Sequence, residues 1–127
     1  MTAVEKYLFL PLFAPRSAWD VARWWELRRP LNNLLVGSAG LLTLGALALY
    51  EPGPPLMFAG FALVYGLMAN LCYTAGVFGD LLLRWLIGPQ AFSVGPVLFR
   101  YGLAVSLTLT LLPIPFIILS QVIQALF

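Results

Sequence analysis

Residues 56–85 read LMFAGFALVYGLMANLCYTAGVFGDLLLRW. No charge interrupts the run from Leu56 to Gly79. As a helix this stretch is about 36 Å long, enough to cross a hydrocarbon core about 30 Å thick. Polar groups nevertheless stand inside it or just beyond: Asn70, Cys72, Tyr73, Thr74, Asp80 and Arg84. On a helical wheel Ala59, Ala62, Gly66, Ala69, Asn70, Tyr73, Gly76, Asp80 and Arg84 fall on one side. Leu63, Leu67, Leu71, Phe78 and Leu82 fall largely on the other.

A stripe of small and polar residues is how a membrane helix marks its protein-facing side. Lipid is as apolar as leucine, so helices associate through close backbone packing and a few interhelical hydrogen bonds. Ala62 and Gly66 make a small-xxx-small step. Asn70 and Tyr73 are expected to bond across the interface, each worth ~0.6 to 2 kcal/mol. Asp80 and Arg84 lie four apart, acid first, the favoured order for a helical ion pair. With Arg100 at a similar depth in the next helix, they predict an Asp80–Arg84–Arg100 cluster locking the hairpin. The competing reading is a proton or anion site, because intramembrane charge points to function. Cys72 reads as a packing residue and Thr74 as a bond to its own helix backbone.

The rest of the chain agrees with a lipid solvent. Of 127 residues, 61% are hydrophobic and 9% charged, against about 25% charged in soluble domains. Two further stretches are uncharged and long enough to cross, Leu31–Tyr50 and Tyr101–Phe127. The fold class expected is therefore all-α, with spans near 31–50, 56–79 and 101–125. Weaker stripes recur in the first span (Asn33, Gly37, Gly40, Ala48) and the third (Gly102, Ser106, Thr110, Ser120, Gln124). Pro113 and Pro115 predict a kink in the third span, with a re-entrant turn as the alternative. The connections, Glu51–Pro55 and Gly88–Pro96, are too brief to hold a domain, and Gly95-Pro96 opens the last helix.

All seven basic residues fall on one side of these spans: Lys6, Arg16, Arg23, Arg28 and Arg29 before the first, Arg84 and Arg100 around the second loop. The positive-inside rule then places the N-terminus in the cytoplasm and the C-terminus outside. Residues 1–30 form the extramembrane segment. Its opening apolar run, broken at Pro11, lacks the cleavage motif of a signal peptide. Within it SAWDVARWWELRRP predicts a short amphipathic helix, Ser17 and Asp20 at capping-box spacing and Pro30 ending the run. Trp19, Trp24, Trp25, Arg28 and Arg29 suit an interfacial anchor at headgroup depth, with a docking surface for a partner as the other reading.

Reactive machinery is sparse. There is no histidine, one cysteine, and five scattered carboxylates, Glu5, Asp20, Glu26, Glu51 and Asp80. That leaves no metal-ligand pattern, no nucleophile with its base, and no intrachain disulfide. Ser38 in GSAG does not match a nucleophile elbow. No Gly-rich phosphate loop or basic run points to nucleotides or nucleic acid. No carboxylate sits deep in a span, where proton-coupled efflux by a tiny transporter needs one. SQVIQALF lacks the charged tail common in holins.

The runs WWELRRPLNNLLVG, ANLCYTAGVFGDLLLR and GPVLFRYGLAVSLTLTLLP, spanning residues 24 to 113, resemble a group of small uncharacterised bacterial polytopic membrane proteins. Asp80 stands where that group more often has glutamate. The group has no established activity, so the resemblance implies location and architecture alone. The expectation is a non-enzymatic accessory or scaffold subunit without cofactor or metal. It would live in the lipid bilayer and pack against a membrane-protein partner or itself, without nucleic acid. The alternative is an oligomeric small transporter, channel or lipid-handling protein using Asn70, Tyr73, Asp80 and Arg84.

Overall fold

A computed structural model describes residues 2–10, 16–90 and 92–126. Pro11 and Phe127, which entered the reading above, lie outside these. The described chain forms six helices: α1 (Ala3–Phe9), α2 (Ala18–Glu26), α3 (Arg29–Tyr50), α4 (Pro55–Ile87), α5 (Gly95–Leu111) and α6 (Pro113–Leu126).

Local chemistry sets their ends. Thr2 with Glu5 closes a capping box on α1, and Ser17 with Asp20 closes the expected one on α2. Pro30 does not end the run as expected. Leu27 and Arg28 keep right-handed helical dihedrals, and Pro30 falls in the first turn of α3, where a missing N–H costs nothing. Pro55 and Pro96 occupy the same place in α4 and α5. Helix α4 stops at Gly88, whose φ of +99° suits a residue without Cβ.

Three helical stretches are long and apolar enough to cross a membrane: Ala18–Tyr50, Pro55–Ile87 and Gly95–Leu126. Along α3, Arg29 meets Thr74, Asn33 meets Asn70 and Val36 meets Tyr65. The partner number falls as α3 advances, so α4 runs antiparallel. Thr43 meets Thr110 and Tyr50 meets Ser120. Here the partner number rises, so α5 and α6 both travel with α3. The proline pair therefore interrupts one crossing instead of turning the chain back. Pro113 and Pro115 bring no N–H to the break. The Thr110 carbonyl in that last turn accepts from Thr43 Oγ1 at 2.7 Å, so a side chain of α3 serves backbone at the break.

The outer surface is apolar. Leu41, Leu42, Leu49, Leu63, Leu67, Leu71, Phe78 and Leu82 are 55–87 % exposed. Water-soluble monomers rarely show contiguous apolar patches beyond a few hundred Å², so this surface belongs against lipid, and the protein is membrane-embedded.

Burial concentrates at one end, where α1 packs on α5 and α2 on α4. Val21, Trp24 and Trp25 of α2 join Leu8, Tyr73, Val77 and Phe99 in a common core. The ring pairs Trp24–Trp25, Trp25–Tyr73 and Tyr73–Phe99 meet edge to face at 5.4, 5.3 and 6.1 Å, the favoured aromatic geometry. This corrects the expected interfacial anchor. Trp24, Trp25 and Arg28 are 5, 2 and 6 % exposed, while Trp19 points outward at 73 %. The apolar side of α2 faces the bundle, because α4 and α5 offer it aromatic partners.

Candidate functional site

Asp80 sits towards the C-terminal end of α4 and is 1 % exposed. Its Oδ1 accepts from Arg16 Nη1 at 3.0 Å, and its Oδ2 from Trp25 Nε1 at 3.1 Å. Arg16 reaches further. Its Nη2 donates to the Phe92 carbonyl at 2.9 Å, and its backbone N–H to the Pro89 carbonyl at 3.4 Å. Arg84 Nε donates to the Arg16 carbonyl at 2.8 Å. One arginine before α2 thus fastens α4 and the α4–α5 connection, and Trp25 adds α2. Gly95 makes room for this: a Cβ there would stand 2.7 Å from Asp80 Oδ2 and 3.3 Å from the Trp24 ring.

The expected Asp80–Arg84–Arg100 cluster does not form. Asp80 pairs with Arg16, Arg84 contacts that arginine's backbone, and Arg100 lies exposed beside Glu5, Phe9 and Tyr101. The i,i+4 pairing loses because Asp80 is turned into the core, where only a group also buried can reach it. Arg16 is such a group, 64 positions away in sequence.

The stripe of α4 divides in two. Tyr73, Gly76 and Asp80 face inward. The Tyr73 hydroxyl donates to the Trp25 carbonyl, and a Cβ on Gly76 would stand 3.0 Å from the Trp25 ring. Ala62, Gly66 and Asn70 instead line a groove of about 380 Å³ with Asn33, Gly37, Gly40 and Tyr65. Only Gly40 is closed over, a Cβ there falling 2.8 Å from Tyr65; Cβ atoms on Gly37 and Gly66 would meet nothing within 4 Å. Asn33 Nδ2 donates to Asn70 Oδ1 at 3.4 Å, and Asn70 Nδ2 to the Gly66 carbonyl at 3.0 Å. The asparagines bridge α3 and α4 as expected, but Ala62 and Gly66 do not bring the helices into close contact.

Basic residues around the core make cation–π and carbonyl contacts. Arg28 lies 3.9 Å over the Trp24 ring and donates to the carbonyls of Leu8 and Trp24 at 3.0 and 2.8 Å. Arg29 pairs with Glu26 at 2.7 Å, reaches Thr74 Oγ1 at 3.4 Å, and stands 4.9 Å over Tyr73. Thr74 returns a bond to the Asn70 carbonyl at 2.8 Å, as its type suggests.

The contacts of Asp80 tie the segment before α2, and α2 itself, to α4. Both carboxylate oxygens are engaged, and no hydroxyl or thiol is hydrogen-bonded to them among the described residues. Nor do those residues contain a group of three or more metal-ligating side chains. Compared with known proteins, the chain matches no family model, no curated protein and no solved structure.

Sequence reasoning missed Arg16, Asn32, Thr43 and Tyr65. Arg16 counted only as positive charge, and nothing local linked it to Asp80. Asn32 stands beside Asn33 in sequence but points about 100° away around the helix.

Proposed function

We propose that this protein is a non-enzymatic accessory or scaffold subunit of a bacterial inner membrane, its N-terminus cytoplasmic and its C-terminus outside. The observation that carries this is the unfilled groove between α3 and α4. Small residues on membrane helices serve to bring another backbone close. Gly37 and Gly66 have open space before them, and Asn33, at the groove's polar end, is exposed. A helix of a membrane partner, or of a second copy, fits there and gives Asn33 a further hydrogen-bonding group. The one-sided distribution of Lys and Arg supports the orientation, and the resemblance to small bacterial polytopic proteins supports the location. The locked state of Asp80 speaks against a proton or anion path through the α4 stripe.

Gly66→Leu tests the reading, because the added side chain enters empty space and leaves the fold intact. The expected result is unchanged unfolding in detergent with loss of the assembly recovered by mild extraction from native membranes. Full assembly with Gly66→Leu and Gly37→Leu combined would refute it.

A further inference from the structure

A second cavity, of about 120 Å³, lies between α3, α4 and α5, behind the open groove, with which it shares Val36 and Ala69. Trp25, Tyr73 and Phe99 form its aromatic wall; Asn32 and Ser106 bring polar side chains, and Cys72 a thiol. Asn32 is 6 % exposed, yet its amide makes no hydrogen bond to any described residue. The Ser106 hydroxyl is likewise without a protein partner among those residues. The Asn32 amide is not sealed off as Arg16 Nε is, so a ligand entering the cavity finds a donor and an acceptor free to pair with it.

The volume and the opening narrow the choice. About 120 Å³ is several times the share of one water, and slightly below the ~150 Å³ of an apolar cavity known to hold benzene. Cys72, Leu98 and Gly102 are the exposed lining residues, so the cavity opens between α4 and α5, towards lipid. A ligand arriving that way is lipid-soluble, and the aromatic wall favours a flat ring.

We propose that this cavity binds a lipid-soluble ring compound carrying a carbonyl or hydroxyl oxygen, which pairs with the Asn32 amide and the Ser106 hydroxyl while the ring packs against Trp25, Tyr73 and Phe99. The site does not depend on the partner groove, and assembly is not needed to test it.

Cys72 is the only cysteine of the chain, and it lines the opening, so its alkylation by N-ethylmaleimide reports occupancy. Phenol and toluene are the probes: nearly the same shape, one with a hydroxyl and one without. In nanodiscs containing the full chain, phenol is expected to slow Cys72 labelling at a concentration about tenfold lower than toluene, the worth of one hydrogen bond. Asn32→Leu should reverse the preference. Ser106→Ala, which changes little volume, should narrow it, and serves if the leucine variant does not fold. A thiol on the outer face, Ala104→Cys in a Cys72→Ala chain, should be indifferent to both probes. Equal protection by phenol and toluene, no protection by either, or equal slowing of the control thiol would overturn the proposal and leave the cavity to water.

Discussion

Replacing Asp80 by alanine removes the only carboxylate that faces Arg16 among the described residues. The guanidinium then stays buried, at 2 % exposure, with the Phe92 carbonyl as its remaining side-chain partner. Its Nε has no partner even in the native protein. Stranding one member of a buried ion pair costs about 3–5 kcal/mol, and the orphaned Trp25 N–H adds to that. Arg16→Met strands Asp80 in turn, with a cost in the same range. The double variant, Arg16→Met with Asp80→Ala, leaves no buried charge at this pair. It loses the bonds to Phe92 and Trp25, roughly 1 kcal/mol each, and should cost less than either single change. The expected non-additivity is therefore at least about 3 kcal/mol. Reversible unfolding in mixed micelles, followed by tryptophan fluorescence, measures all four corners of the cycle, since Trp24 and Trp25 sit in the core that must open. Additive single effects below about 0.5 kcal/mol, typical of exposed pairs, would show that Arg16 and Asp80 do not form a buried pair.

Arg84→Ala should not restore the stability of Asp80→Asn in the same assay, because Arg84 reaches the Arg16 backbone and not the carboxylate. Gly95→Ala should destabilise by about 1–3 kcal/mol through overpacking, its Cβ falling 2.7 Å from Asp80 Oδ2; a neutral result would mean that α5 is free to shift. Thr43→Val, close in shape, should cost about 1–2 kcal/mol by leaving the Thr110 carbonyl short of its donor. Acid should loosen α1 through Glu5, whose carboxyl is held below its ordinary 4.5 by hydrogen bonds from the Thr2 backbone and side chain. With the folded pKa depressed, the contribution is complete above the ordinary value and is lost as pH falls through the lowered one. Amide exchange in α1 should therefore rise only in strong acid, and Glu5→Gln should abolish that dependence.

Hydropathy made the three long helices legible, because continuous apolar runs of that length have few other uses. Capping chemistry did the same for α2, and the proline positions for the starts of α4 and α5. The inward half of the α4 stripe also followed from helical phase: Tyr73, Gly76 and Asp80 all face the core. What helical phase does not carry is which neighbour closes on a face. Arg16 meets Asp80 because the segment before α2 folds back beside α4, a long-range event with no local signature. For the same reason Trp24 and Trp25 suggested a headgroup anchor although aromatic partners on α4 and α5 bury them. Ala62 and Gly66 were expected to seal a helix contact; the ring of Tyr65 across Gly40 sets that contact instead and leaves the groove beyond it open.

Three crossings underlie every assignment made for this chain, from the lipid-facing leucines to the shielding of Asp80. Single thiols at Thr2→Cys and Leu126→Cys, each in a Cys72→Ala chain, can be labelled with a membrane-impermeant maleimide in intact cells and again after lysis. The expected result is that Cys at 126 reacts from outside and Cys at 2 reacts only once the cells are opened. Both ends reacting from the same side would require an even number of crossings and contradict the fold in its membrane.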